Sequence, residues 1–130
     1  MKSLGISAFI FLTNVVSCWS KNYFLYGGLF LILVITSFIV HNHNTIYTNL
    51  LDKIPIVCIV WYGFFLLFFR SYNAWLAFII FGSFLAVLAL YCYGCICKCF
   101  IFDSNTNTSE DYHSLMHFIS SIGHHFICLL

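Results

Sequence analysis

Long apolar stretches, separated by short groups of charged and polar residues, run through the whole chain. When charges and turn residues are taken as boundaries, five such stretches emerge, at about 4–19, 23–41, 54–69, 73–95 and 112–130. A helix needs roughly 20 residues to cross about 30 Å of hydrocarbon, so the first and third stretches are short. Tilt and local thinning of the bilayer can accommodate short spans within a bundle. The pattern predicts an all-α, multi-span transmembrane bundle of about five helices, with residues 1–130 forming a single integral membrane domain.

The polar segments between the stretches predict how the helices are connected. Residues 21–22 and 70–71 are short and predict tight turns between antiparallel helices, whereas 42–53 and 103–111 predict longer polar loops. No internal repeat or low-complexity tract divides the chain. Helices that alternate in direction would therefore start the third and fifth spans at the same face of the membrane.

The first stretch also has the features of a secretory signal peptide. Lys2 precedes an apolar run, and the small Ser17 stands directly before Cys18. Cleavage there would leave four spans and would place the beginning of the second span on the other side of the membrane. Both interpretations are open at the level of the sequence.

Composition narrows the class of protein further. Hydrophobic residues make up 62% of the chain and charged residues 7%, too few to cover the surface of a soluble domain. The 16 Phe, 8 Tyr and 3 Trp residues exclude intrinsic disorder, because so many aromatic side chains would collapse. Five Lys and Arg residues against four Asp and Glu residues leave no basic face, so we expect no nucleic-acid partner.

Ionisable and polar side chains near the ends of three spans are the candidate functional residues, since such groups are costly inside a membrane. Ser37 and His41 share one helix face at i and i+4, as do His113 and His117. Asp52 is expected to start the third span, with Pro55 just inside the helix. Alternating helices bring these groups to one depth; they are Ser37, His41, Asp52, His113 and His117.

Three imidazoles and a water molecule form the open tetrahedral shell of a catalytic zinc ion. A nearby carboxylate outside that shell can orient a histidine or take a proton from the water. Two other interpretations stay open. The histidines can be interfacial residues at span ends, or two of them from different spans can ligate a haem iron.

Two segments carry a resemblance to a known family. Ser37-x-x-x-His41, followed by Leu51-Asp52 and Pro55, resembles the end of span two and the start of span three in the alkaline ceramidases. The segment from His113 to Gly123, with its His-x-x-x-His spacing, is similar to the last-span signature of that family. The wider group of intramembrane hydrolases, including the adiponectin-receptor-like and Per1-like proteins, shares the Ser, Asp and three-His pattern. The matching segments, 36–57 and 112–126, cover about a quarter of the chain.

The resemblance implies a zinc ion held by His41, His113 and His117. Asp52 would hold or deprotonate the attacking water, and Ser37 would donate a hydrogen bond to that water or to the oxyanion. The substrate would be a ceramide-like lipid, cleaved to sphingosine and a fatty acid. The resemblance also implies a multi-pass protein of the endoplasmic reticulum or Golgi.

The chain departs from the family pattern in three ways. The family has seven spans where five are predicted here, its acidic N-terminal calcium-binding cluster is missing, and Met116 stands where the last motif has Trp. The alternative is therefore a catalytically inactive or truncated homologue that acts as a small membrane interaction protein. Its missing spans and its 21% aromatic content favour association with other membrane proteins.

Orientation in the membrane stays open. The resemblance implies a lumenal N-terminus, which would place the sequon at Asn107 in the lumen. The positive-inside rule does not support this, because two of the five basic residues would then lie on the cytosolic side and three on the other.

The remaining histidines and the cysteines give weaker predictions. His43 lies in a predicted loop as a bystander or an alternative ligand, and His124 and His125 lie deeper in span five, where they need partners on other helices. Cys92, Cys95, Cys97 and Cys99 cluster at the end of span four. Their alternating spacing favours packing thiols or palmitoylation over a zinc knuckle.

Overall fold

The computed structural model describes residues 6–70 and 73–130, and every regular element in these two ranges is helical. The five helices are α1 (Phe11–Ser20), α2 (Phe24–Asn42), α3 (Ile46–Phe69), α4 (Ala74–Cys97) and α5 (Thr106–Ile127). A 3₁₀ turn, Ala8–Ile10, leads into α1, and another, Phe100–Phe102, separates α4 from α5. The predicted all-α bundle of about five helices is confirmed. The first predicted span starts at Leu4, which lies outside the described residues. Ser71, in the second predicted tight turn, also lies outside them.

Three segments are long and apolar enough to cross a membrane: Phe24–Asn42, Ile46–Phe69 and Ala74–Phe102. The chain is a membrane protein on this ground. The helical segment Ala8–Ser20 is apolar but shorter, and α5 opens with polar turns, Thr106 to Asp111. Of the five predicted spans, three correspond to helices that are long and apolar enough to cross a membrane. The other two differ from them, because α1 is shorter and α5 begins with polar turns.

Helix α3 begins earlier than its apolar stretch. Thr45 caps it through a capping box. The Thr48 backbone N–H donates to the Thr45 hydroxyl, and the Thr45 backbone N–H donates to the Thr48 hydroxyl. The predicted loop over 42–53 is therefore too long, because only 43–45 separate α2 from α3, and Asp52 lies in the second turn of α3 rather than at its start. Pro55 lies inside the helix rather than in its first turn. Because α3 has 24 residues and is about 36 Å long, its polar first turns can extend beyond the hydrocarbon.

Helix α5 likewise begins before the last predicted span. The Asn105 side chain caps it by accepting from the backbone N–H groups of Asn107 and Thr108. The predicted polar loop over 103–111 therefore contributes the first turns of α5, and the exposed Asn107 of the sequon is helical. Side-chain capping of this kind lets a helix start in polar sequence that an apolar pattern does not include.

Helix α2 supplies the centre of the core. Tyr26 and Phe30 are fully buried, and Phe30 stacks on Phe11 of α1 with ring centroids 5.9 Å apart. Helix α2 packs along α1 on one side and along α3 on the other. Helix α4, by contrast, packs mainly on α5 and leaves most of its apolar surface exposed. The bundle is thus one layer of α1, α2 and α3 against a pair formed by α4 and α5.

Close approach of α5 to its neighbours depends on glycine. A Cβ atom at Gly123 would lie 2.9 Å from the Ser83 Cβ of α4. A Cβ atom at Gly63 of α3 would lie 2.8 Å from the Tyr26 hydroxyl. Real Cβ atoms do not approach so closely, so α4 and α5 could not pack at this distance with any larger residue at Gly123.

A row of polar contacts, here called the α1–α5 seam, joins the first helical segment to the last. Its hydrogen-bonded pairs are Ser7–His117, Thr13–His125, Asn14–Ser121 and Ser17–His125. The two partners are always 107 to 112 residues apart in sequence, so the two helices run in the same direction in a fixed register. Parallel α1 and α5 agree with five helices that alternate in direction.

A gap separates α3 from α4 along part of their length. Within the described residues, the two helices meet near Phe64, whose ring lies 5.0 Å from that of Phe84, and at Lys53, whose Nζ lies 6.0 Å from the Tyr91 ring. Apolar side chains of both helices line the space between these two points. The two helices thus face each other across an apolar space.

Candidate metal centre

Three histidines from two helices meet at one end of the bundle. His41 lies in the last turn of α2, and His113 and His117 occupy successive turns of α5. One ligand atom from each lies within 4.8 Å of the others, and the ring centroids of His113 and His117 are 4.8 Å apart. In the ranges 6–70 and 73–130 no other group of three His, Cys or acidic residues is close enough to hold a metal ion. The structure thus brings together the three ligands that were expected from the sequence.

Asp52 of α3 lies buried at the same end and is bound by two hydroxyl groups of α2. Ser37 Oγ donates to Asp52 Oδ1 at 2.7 Å, and Thr36 Oγ1 donates to the same oxygen at 3.0 Å. Hydrogen bonds to a charged oxygen are the strong ones, and here they fix the carboxylate relative to α2. Ser37 therefore contacts the carboxylate directly, whereas the sequence expectation placed its hydroxyl on water or the oxyanion.

The donor set fits a small metal ion. Three neutral imidazole nitrogens with one open position are the ligands of catalytic zinc. Bonds of about 2.0–2.1 Å in tetrahedral geometry would place ligand nitrogens about 3.3 Å apart. Nitrogens that lie within 4.8 Å reach this spacing when the rings move inward by an ångström or so. His41 and His113 are partly buried and His117 is buried, so the site is partly shielded from its surroundings.

The second ring nitrogen of one ligand has a partner that residue spacing does not predict. His117 Nδ1 lies 2.9 Å from Ser7 Oγ, in the turn before α1. With the proton on Nδ1, His117 donates to Ser7 and its Nε2 lone pair is available to a metal. Partners of this kind orient ligating histidines in metal sites. Ser7 and Thr36 are the two polar contacts at this site that residue spacing alone missed.

A cavity of about 530 Å³ begins at these residues and extends between the two layers of the bundle. Its polar end is lined by Ser37, His41, Asp52, His113 and His117. The rest of its wall is largely apolar and comes from α2, α3, α4 and α5, including Phe30, Ile59, Phe84 and Leu88. A polar end of this kind on a long apolar space suits a molecule with one reactive group and a hydrocarbon tail.

The other histidines have separate roles. The Tyr26 hydroxyl lies 2.6 Å from His124 Nδ1, and the Thr13 and Ser17 hydroxyls each lie 2.9 Å from a ring nitrogen of His125. The expected partners for this pair on other helices are therefore present. His43 is the exposed residue that ends α2, and it does not belong to the three-histidine group.

The cysteine cluster at the end of α4 is largely exposed. Cys92, Cys95 and Cys97 are exposed and Cys99 is partly buried. They form no metal-binding group among the described residues. Three of the four thiols are therefore not packed within this bundle, and palmitoylation stays a prediction.

Comparison of the chain with protein-family models, with curated proteins and with solved structures gives no match. The resemblance to the alkaline ceramidases therefore rests on the motifs in 36–57 and 112–126 alone.

Proposed function

We propose that the chain is a zinc-dependent hydrolase that cleaves a lipid amide inside the membrane, with ceramide as the simplest substrate and sphingosine and a fatty acid as products. One observation carries the proposal: the three-histidine group and the buried carboxylate of Asp52 lie at the polar end of an otherwise apolar cavity. The motif resemblance to the alkaline ceramidases supports the same reaction. On the same resemblance, the proposal includes residence of the protein in the membrane of the endoplasmic reticulum or Golgi.

His41, His113 and His117 would hold the metal. Zinc, when bound, supplies a Lewis acid that polarises a carbonyl and lowers the pKa of water to about 7. Nitrogen ligands on α2 and α5 connect the two layers of the bundle, so metal binding would also stabilise the arrangement of the helices.

Asp52 would accept the proton of the attacking water and pass it to the leaving amine. A carboxylate does this work best when its orientation is fixed. The hydroxyl groups of Ser37 and Thr36 supply that constraint, because both donate to the same Asp52 oxygen. Ser37 and Thr36 are therefore positioning residues in this mechanism.

The cavity would hold the hydrocarbon part of the substrate. Its volume of about 530 Å³ lies in the range of small-molecule sites, and most of its wall is apolar. The gap between α3 and α4 allows an acyl chain to pass directly from the bilayer, so a lipid need not be extracted into water. Lys53 and Tyr91 stand at the polar end of that gap.

Metal content measured beside hydrolysis tests the proposal. The purified wild-type chain should contain close to one zinc ion, as expected for a three-histidine site, and should release fatty acid from a ceramide. His113→Ala should lose both, while His43→Ala, a control in the exposed residue after α2, should keep both. Wild-type protein that binds no metal would refute the proposal.

A second function is favoured by the exposed apolar surface of α4. Trp75, Phe78 and Ile96 are 72–80% exposed, and few α4 side chains are buried in the described bundle. Such a surface suits a membrane interaction protein as well as a lipid-facing helix. Alanine at His41, His113 and His117 together would then leave partner binding intact. Metal binding without any hydrolysis would select this second function.

A haem-binding role is the remaining interpretation of the histidines. Axial haem ligands lie on opposite sides of a flat macrocycle. Three histidine ligand atoms converge here, which matches the three-nitrogen shell of a zinc ion, whereas a haem iron with two axial histidines uses only two. A visible absorption spectrum of the purified protein separates the two, because zinc has no band there.

A further inference from the structure

We propose that Cys18 and Cys128 are a disulfide-forming pair that joins α1 covalently to the residue after α5. Their sulfur atoms lie 2.9 Å apart, and both residues are buried, with 0% and 3% of their surfaces exposed. A disulfide has sulfurs about 2.05 Å apart, so the bond forms when they approach by about 0.9 Å. The pair lies at the end of the bundle opposite the three-histidine group and is independent of the proposed hydrolase.

The pair continues the α1–α5 seam. Cys18 and Cys128 are 110 residues apart, the same sequence offset that separates Ser7 from His117. Buried polar contacts on the intervening turns hold the two helices in that register. The two sulfurs are therefore held close by the packing of the whole interface rather than by a local turn.

A small cavity, formed mainly by polar residue types, reaches one of the two cysteines. Its volume is about 210 Å³, and Cys128 lines it together with Ser17, Ser20, Lys21, His125 and Leu129. Lys21 is a cation that stabilises a neighbouring thiolate, and the thiolate is the nucleophile in disulfide exchange. Cys128 is thus the attacking sulfur and Cys18 the resolving one.

The oxidant is a small-molecule disulfide such as oxidised glutathione. The Cys128 thiolate attacks one sulfur of the oxidant, forms a mixed disulfide and releases one thiolate. The Cys18 sulfur then attacks Cys128 and releases the second. Two cysteine thiols and one oxidant disulfide thus give one protein disulfide and two free thiols, with two electrons and two protons passing to the oxidant.

The test uses a full-length variant in which Cys18 and Cys128 are the remaining cysteines. The other five are replaced: Cys58→Ser, Cys92→Ser, Cys95→Ser, Cys97→Ser and Cys99→Ser. The detergent-purified variant is treated with oxidised glutathione or with dithiothreitol, denatured and alkylated, and its intact mass is measured. We expect both sulfurs to be alkylated after dithiothreitol, and neither sulfur to carry alkyl or glutathione after oxidation.

The same variant with Cys18→Ser is the matched control and should end as a glutathione adduct on Cys128. Two glutathione adducts on the paired variant, or two alkylated sulfurs after oxidation, would overturn the proposal. If the multiple variant fails to fold, the wild-type chain replaces it. Its proteolytic peptides should then include a linked pair containing Cys18 and Cys128, and oxidation of Cys58 or of the α4 cluster without that pair would overturn the proposal equally.

Discussion

The Asn14–Ser121 pair in the α1–α5 seam should make a measurable contribution to stability. Asn14 Nδ2 donates to the Ser121 carbonyl at 3.0 Å, and Ser121 Oγ donates to Asn14 Oδ1 at 2.6 Å. Asn14 is fully buried and Ser121 is 2% exposed. Polar contacts between membrane helices average about 0.6 kcal/mol and reach about 1.7 kcal/mol. A buried polar group left without a partner costs about 1–3 kcal/mol.

We therefore expect a coupling free energy of about 1–2 kcal/mol between the two side chains. The experiment is a double-mutant cycle with Asn14→Leu, Ser121→Ala and the double variant. Each single variant leaves a buried polar atom unpaired, and the double variant removes that penalty. The free energy of unfolding is measured by titrating SDS into mixed micelles and following tryptophan fluorescence.

Asn42→Leu is the matched control, because Asn42 is exposed and its side chain donates to Phe38 within its own helix. It should change the free energy of unfolding by less than about 0.5 kcal/mol. Additive effects of Asn14→Leu and Ser121→Ala within about 0.3 kcal/mol would refute the reasoning. The seam would then be a consequence of helix packing rather than one of its causes.

Two further predictions concern helix contacts. Gly123→Val should lower the free energy of unfolding by about 1–3 kcal/mol, because the new side chain must displace α4. Gly82→Ala is the control and should not lower it, because Gly82 lies in open space on α4. Equal effects of the two variants in the SDS titration would contradict the close approach of α4 and α5. Thr36→Val and Ser37→Ala should each slow amide hydrolysis about 10–100-fold at unchanged zinc content, because Asp52 loses a hydroxyl donor. Zinc loss in either variant would show a direct role in holding the metal instead.

Much of the fold and the core of the site could be predicted from residue pattern. Apolar stretches gave the number of helices, and i, i+4 spacing with alternating helix direction gave the meeting of His41 with His113 and His117. The start of α3 could not be predicted in this way, because a capping box at Thr45 adds a polar turn that an apolar pattern excludes. That turn is why Asp52 lies inside α3 rather than at its beginning.

Contacts between distant segments were the part that could not be predicted. Ser7 partners His117 and Asn14 partners Ser121 across more than 100 residues, and no local periodicity encodes such a pair. The apolar residues of the first stretch predicted a helix there. The burial of Asn14 within that helix, however, depends on its contact with α5, which lies much later in the chain. The Asp52–Ser37 bond is similar, since spacing gave their common depth but not the direction of the hydroxyl.

The α1–α5 seam has a consequence for the order in which the chain is made. Asn14 leaves the ribosome long before Ser121. During synthesis, the side-chain amide of Asn14, which is buried in the folded bundle, therefore lacks its partner on α5. A short apolar helix with an unpaired amide is a poor occupant of the bilayer on its own. The final helix therefore completes the first, and a nascent chain stopped before Thr106 should hold α1 only loosely in the membrane.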